Sequence, residues 1–144
     1  MDSLSSTKAL FILYVKDLAW STAFYSQVLN CPPSLNVPGM TEFTVSENTI
    51  LGLMPISGIK QLFGDKLPDP ARSTDVPRCE IYLLVSHPAD YHKRAVTAGA
   101  VELSGLEKRS WGHNAAYSLD PDGHVLAFAE RIESGSASDR TNGL

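Results

Sequence analysis

Cysteine, net charge and long apolar runs are all scarce in this 144-residue chain, and each shortage excludes a class of protein. The two cysteines, Cys31 and Cys79, form no C-x-x-C motif, so we expect neither a disulfide-stapled domain nor a zinc site built on cysteine. A net charge of −4 argues against nucleic acids and anionic membranes as partners. No apolar run is long enough to span a bilayer. The first residues, MDS, do not resemble the basic start of a signal peptide, so the sequence predicts a cytoplasmic protein.

The first half of the chain shows the order strand, helix, strand, strand, strand. Residues 9–15 form a continuous apolar, β-rich run, which predicts a buried strand. Asp17 is a suitable N-cap for a helix that continues at helical spacing to Val28 and ends before the prolines 32 and 33. Three short β-like pieces follow, separated by turn residues, at residues 35–37, 40–45 and 49–54.

The second half of the chain repeats this order. Residues 79–85 predict another apolar strand, and Ser86 or His87 can cap a helix whose first residue is Pro88 and whose end is Gly99. Three further β-like pieces follow, at residues 101–103, 113–119 and 124–129. The repeat predicts a single domain over residues 1–132, with module one at about 8–54, a connector at 55–78 and module two at 79–132. Residues 133–144 are small and polar and predict a disordered tail.

Two stretches resemble a known family. Residues 13–18 (LYVKDL), followed by Phe24-Tyr25, and residues 111–113 (WGH), followed by 120–126 (DPDGHVL), are similar to the opening strand and the closing hairpin of the vicinal-oxygen-chelate superfamily. This superfamily contains glyoxalases, bleomycin-resistance proteins and extradiol dioxygenases, and the Trp-Gly pair places the chain nearest the bleomycin-resistance-like branch. The resemblance implies an α+β fold in which two βαβββ modules form a curved mixed-sheet cup with the helices on its convex side.

The resemblance also implies where metal enzymes of the superfamily hold their ion. The four ligand positions, from the first and last strand of each module, fall here on Leu10, Leu51, Glu80 and Ala127. Only Glu80 can bind a divalent ion, whereas a stable transition-metal site takes three or more protein ligands. We therefore expect no metal and no cofactor. The four histidines, at positions 87, 92, 113 and 124, are read as solvated polar residues, although His113 could reach the cup near Glu80.

Strand alternation predicts an apolar lining for the cup, with one carboxylate and two phenols. Trp111 is a candidate stacking residue at its mouth, or else a structural plug. Glu80 either serves a ligand or pairs with Arg109 or Lys108, because a carboxylate inside an apolar strand is costly to bury alone. The candidate ligand-binding residues are Leu10, Ile12, Tyr14, Leu51, Glu80, Tyr82, Trp111 and Ala127. The leucines and Ile12 could equally pack a closed core.

These features favour a metal-independent protein that binds a small aromatic or amphipathic molecule, in a sequestration or resistance role. No residue receives a catalytic role with confidence, and the one candidate is Glu80. The alternatives are a glyoxalase-like lyase or dioxygenase with an atypical metal site, a metal-free isomerase that uses Glu80 as base, or a structural module with a filled cup. The expected partners are a small-molecule ligand and a second copy of the chain in a homodimer, and neither nucleic acid nor membrane.

Overall fold

A computed structural model of the chain describes residues 7–73 and 76–132. The chain divides into two compact units, one of Met1–Arg78 with Pro121–Gly123 and the other of Cys79–Asp120 with His124–Leu144. The predicted disordered tail, 133–144, lies outside the described residues.

The first unit has the predicted order of elements. Strand β1 (Ala9–Val15) is followed by helix α1 (Leu18–Leu29) and strands β2 (Leu35–Val37), β3 (Met40–Ser46) and β4 (Thr49–Pro55). These strands form an open mixed sheet in the order β1-β4-β3-β2, with β1 parallel to β4 and the other pairs antiparallel. Helix α2 (Ile56–Phe63) and two 3₁₀ turns (Gly64–Lys66 and Pro70–Ser73) then occupy the connector.

Local sequence chemistry sets both ends of α1. The Asp17 carboxylate accepts a hydrogen bond from the backbone N–H of Trp20 at 2.9 Å, which satisfies one of the open donors of the first turn. Asn30 ends the helix in the left-handed conformation, with φ 55°. The buried side of α1 covers one face of the sheet, where the Tyr25 and Phe43 rings lie 6.4 Å apart. We call this side the helix face of the sheet and the opposite side its open face.

The second unit repeats the arrangement. Strand β5 (Glu80–Leu84), helix α3 (Pro88–Thr97) and strands β6 (Val101–Lys108), β7 (His113–Leu119) and β8 (Val125–Arg131) form an open mixed sheet in the order β5-β8-β7-β6. Strand β5 runs parallel to β8, and the other pairs are antiparallel. Strand β6 extends well beyond the piece predicted at 101–103. The Tyr91 ring of α3 lies 5.5 Å from the Phe128 ring of β8, which defines the helix face of this sheet.

The predicted fold class is confirmed: the protein is α+β, with two four-stranded mixed sheets in repeated βαβββ order. The second helix begins at Pro88 as expected, because proline fits the first helical position. Of the two candidate caps, Ser86 and His87, it is His87 that occupies the N-cap position, with φ 61°, and its side chain makes no cap hydrogen bond. Gly99 follows the helix with φ 114°, which glycine adopts at little cost.

Candidate functional site

The open face of the second sheet carries an aromatic and ionisable cluster. Strand register pairs Glu80 with Val125 and Tyr82 with Ala127, and Ala127 also pairs with Tyr117. Paired residues on neighbouring strands share a face, so these side chains lie on the side opposite the Phe128 ring. Ala127 is fully buried on the strand between those of the two larger phenols.

Tyr82 is the centre of a hydrogen-bonded row of three rings. The indole Nε1–H of Trp111 donates to the Tyr82 hydroxyl at 2.9 Å, and that hydroxyl lies 2.6 Å from His113 Nδ1. The Tyr82 and His113 rings also pack, with centroids 5.6 Å apart. If the Tyr82 O–H donates to His113 Nδ1, then the indole N–H, the hydroxyl group and Nδ1 each have a partner. Trp111 is 54% exposed, yet this bond fixes its orientation.

The Tyr117 phenol is affected by one cation and two acidic groups. Burial raises the pKa of the Tyr117 phenol, and the nearby Glu80 carboxylate and Tyr82 phenol raise that pKa further, while Arg109 opposes them. The Arg109 guanidinium carbon lies 5.1 Å from the centre of the Tyr117 ring. Tyr117 therefore stays a neutral hydrogen-bond donor over the ordinary pH range.

Glu80 differs from the sequence expectation in its surroundings. It is exposed, and the described residues offer its carboxylate neither an ion pair nor a hydrogen bond. Arg109 instead donates to Ser104 Oγ at 2.6 Å and to the Ala115 carbonyl oxygen at 2.8 Å. The expectation that Glu80 is buried is wrong, because Glu80 is the first residue of β5 and borders an exposed segment. Of the two alternatives for its carboxylate, pairing with Arg109 or Lys108 is not found among the described residues, and a role toward a ligand stays a prediction. The charge of Glu80 is available to a ligand.

The first unit brings together three of its four predicted lining residues. Leu10, Ile12 and Tyr14 alternate along β1 on the open face, where Ile12 pairs with Gly52. Leu51 pairs with Phe11, is 4% exposed and lies on the helix face, so its predicted place in the lining is wrong. The open-face residues of β4 are Ile50, Gly52 and Met54, which pair with Leu10, Ile12 and Tyr14.

The model of the Glyoxalase/Bleomycin resistance protein/Dioxygenase superfamily matches residues 9–128 of this chain. The chain belongs to that superfamily. Among solved structures, a glyoxalase-related enzyme from Fulvimarina pelagi is 22% identical with a TM-score of 0.72, each chain being covered to 88%. A glyoxalase/bleomycin resistance protein/dioxygenase family enzyme from Burkholderia phytofirmans PsJN is 15% identical with a TM-score of 0.73, over 88% of this chain and all of the other. No curated protein matches.

A superfamily metal site does not fit the residues present. Register makes Gly52 the counterpart of Ala127, because Leu10 pairs with Ile50 as Glu80 pairs with Val125. The implied ligand positions therefore carry leucine, glycine, glutamate and alanine, of which only the carboxylate can bind a divalent ion. Within residues 7–73 and 76–132, no three His, Cys, Asp or Glu side chains converge as a metal site would require.

Two of the histidines are structural rather than solvated, which corrects their predicted exposure. His92 is 8% exposed and its Nε2 lies 2.7 Å from the Glu102 carboxylate. His124 is 2% exposed, and its Nδ1 lies 2.9 Å from Asp120.

In the described part of the chain, no helix is long and apolar enough to cross a membrane.

Sequence reasoning left three members of the cluster out of the predicted site: Arg109, His113 and Tyr117. A signal for Tyr117 was present, because it lies close to the turn at 120–123 and alternates with the buried residues Ala116 and Ser118. The contact between His113 and Tyr82 joins residues 31 apart in the chain, and no local pattern reports it.

Proposed function

We propose that the open face of the second sheet binds a small aromatic or amphipathic molecule, and that it does so without a metal ion. The observation that carries this proposal is the Trp111 indole, which is 54% exposed but held by the Tyr82 hydroxyl at 2.9 Å. An aromatic ring that is oriented before binding loses little conformational freedom when a ligand stacks on it. Tyr82 and Tyr117 add two further rings on the same face.

The charges of the cluster favour a neutral or cationic ligand over an anion. The Glu80 carboxylate is exposed and has no ion-pair partner among the described residues. The positive charge of Arg109 already faces carbonyl oxygens and the Tyr117 ring. A cation over these rings would gain about 0.5–1 kcal/mol while exposed and about 2 kcal/mol once desolvated.

The binding test uses three probes of equal size: 2-naphthylmethylammonium, 2-naphthalenemethanol and 2-naphthoate. Calorimetric titration is expected to rank the cation above the neutral probe, with at least a tenfold loss of the cation's affinity in Trp111→Ala, and Trp111→Ala should leave the affinity for 2-naphthoate unchanged. Trp20→Ala is the matched control, because Trp20 is 55% exposed and lies on α1 in the first unit. Equal losses in both variants, or no binding of any probe, would overturn the proposal.

The metal-free part of the proposal has its own test. Elemental analysis of untagged protein purified without chelator is expected to find far less than one metal ion per chain, before and after incubation with nickel, zinc, iron and manganese. A single carboxylate lacks the ligand number that such ions need. About one tightly held ion per chain would favour a lyase or dioxygenase with an atypical metal site.

One observation favours a second candidate, a metal-free isomerase. Glu80 is an exposed base without an ion-pair partner in the described ranges, and the raised pKa of Tyr117 keeps its phenol protonated in the field of that carboxylate. Such a pair can remove a proton next to a carbonyl group and donate a hydrogen bond to the resulting enolate oxygen. The test is deuterium incorporation from D₂O into the α-carbon of 2-naphthylacetone, which Glu80→Gln should abolish. Incorporation at the buffer rate would leave binding as the function.

We propose further that the protein acts in the cytoplasm and as a homodimer. Leu10 and Phe11 support the dimer, since they are 43% and 64% exposed on β1, an edge strand of its sheet. Light scattering coupled to gel filtration should give twice the 15.6 kDa chain mass, and a monomer at micromolar concentration would contradict this.

A further inference from the structure

The first unit contains a groove of about 460 Å³. It is open to solvent on one side, and its lining consists of Tyr14 of β1, residues of the connector and Arg78: Tyr14, Leu67, Pro68, Asp69, Pro70, Arg72, Ser73 and Arg78. The volume lies within the range of small-molecule sites. We call this space the connector groove.

The connector segment at 67–73, which supplies most of the lining, is held in place by its own sequence. Pro68 and Pro70 restrict the backbone, and the Asp69 carboxylate accepts a hydrogen bond from the Ala71 N–H at 2.9 Å. The Arg72 N–H donates to the Asp69 carbonyl oxygen at 3.0 Å, which closes the turn. The groove therefore exists before any ligand binds.

The acidic group in the groove already has a cationic partner. The Lys60 ammonium donates to Asp69 at 3.2 Å. The Ala71 N–H, followed by Lys60 and more weakly by the charge of Arg72, lowers the pKa of Asp69 below its ordinary value. Arg78 is held by the carbonyl oxygen of Asp122 at 3.2 Å and by the carbonyl oxygen of Ser73.

Arg72 is the remaining charged group of the lining. Its guanidinium makes neither a hydrogen bond nor an ion pair with any residue in the described ranges. Guanidinium groups bind carboxylates and phosphates through paired N–H donors. Tyr14 and Leu67 supply apolar surface beside it, and Leu67 is 37% exposed.

We propose that the connector groove binds a small amphipathic anion, with a carboxylate or phosphate on Arg72 and an apolar body against Tyr14 and Leu67. The connector groove would therefore prefer an anionic ligand, whereas the aromatic and ionisable cluster of the second sheet would prefer a cationic one. It does not depend on the function proposed for that cluster.

The test titrates the wild-type chain with 2-naphthoate, 2-naphthyl phosphate, the neutral 2-naphthalenemethanol and inorganic phosphate, by calorimetry. At least one naphthyl anion should bind tenfold or more tightly than the neutral probe, and the stronger of the two identifies the acid group. Inorganic phosphate should bind at least tenfold more weakly than 2-naphthyl phosphate, because it lacks the apolar body.

Arg72→Gln should weaken the naphthyl anion at least tenfold, and Arg72→Lys should recover part of that loss. The matched control is Lys93→Gln, which removes one positive charge from an exposed residue of the second unit. Trp111→Ala should leave anion binding unchanged, so the outcome is separate from that of the cluster. Thermal unfolding checks that each variant is folded. Anion affinity that is unaffected by Arg72→Gln, or equal for the neutral probe, would overturn the proposal.

Discussion

Replacing Asp122 with alanine should strongly destabilise the protein, because it removes a buried acceptor that joins two distant parts of the first unit. The Asp122 carboxylate is almost fully buried, with 3% of the residue exposed. One oxygen accepts the Lys16 N–H at 2.9 Å, and the other accepts the Ser21 hydroxyl at 3.3 Å. The three residues therefore tie the turn at 121–123 to the start of α1, within the first unit.

The size of the effect follows from these two bonds. A hydrogen bond to a charged group contributes about 1.5–3 kcal/mol, and a buried donor left without a partner costs about 1–3 kcal/mol. The Ser21 bond is the longer one, so we expect about 3–4 kcal/mol for Asp122→Ala. Asp122→Asn keeps the shape and one acceptor oxygen, and should cost about 1–2 kcal/mol. Ser21→Ala removes the weaker bond alone and should cost about 1 kcal/mol.

Urea unfolding followed by circular dichroism measures these differences directly. For a chain of this length, about 3 kcal/mol corresponds to a fall in Tm of roughly 6–12 °C. Asp65→Ala is the control, because Asp65 is exposed and its side chain makes no hydrogen bond within the described residues; it should change the free energy of unfolding by less than about 0.5 kcal/mol. A similarly small change for Asp122→Ala would refute the reasoning.

Four further predictions concern single groups or contacts. Glu80→Gln should lower the pKa of Tyr117 toward its ordinary value of 10.0, although burial still keeps that pKa raised. NMR titration of ring-labelled tyrosine measures the pKa, and an unchanged value would show that Glu80 lies too far from the phenol to affect it. Because the folded-state pKa is raised, the phenol's contribution to stability is complete below about pH 10 and is lost as the pH rises through the folded value, which urea unfolding on both sides of that pH would detect. Tyr82→Phe should lower the free energy of unfolding by only about 0.5–1.5 kcal/mol, but it should free the exposed Trp111 indole to move. In a Trp20→Phe background this motion is seen as faster depolarisation of the Trp111 fluorescence, and unchanged depolarisation would contradict the hydrogen bond. Asp17→Ala should cost about 1 kcal/mol by removing the N-cap of α1, and no loss in urea unfolding would show that the cap is dispensable.

Most of the fold could be predicted from the sequence because its signals are local. Asp17 before an apolar run at helical spacing, Pro88 at a helix start and the DPDG turn each report their own structure within a few residues. The repeated order of elements then predicts two similar sheets. The length of β6 could not be predicted, because residues 104–108 are mostly polar and pair with β7 through two irregularities of register.

Less of the candidate site could be predicted from the sequence, because the site depends on contacts between residues that are distant in the chain. Tyr82 and Trp111 were both predicted to line a site, but the bond between them joins residues 29 apart in the chain. The exposure of Glu80 depends on where its strand begins, and strand ends are poorly marked in an apolar run. A row of hydrogen-bonded side chains of this kind has no sequence signature of its own.

The register of β4 is the sharpest point at which sequence and structure disagree, and Leu51→Ala decides between them. The run at 49–54 is apolar on both faces, so its alternation has no phase that the sequence reveals. If Leu51 lay on the open face, its side chain would not pack beneath α1, and its truncation should cost less than that of a core leucine. On the helix face, at 4% exposure, it leaves a cavity beneath α1 and should cost about 2–5 kcal/mol in urea unfolding. A small cost for Leu51→Ala would instead indicate that the register of β4 is shifted by one residue. Gly52 would then lie on the helix face, and Leu51 would line the open face as the sequence predicts.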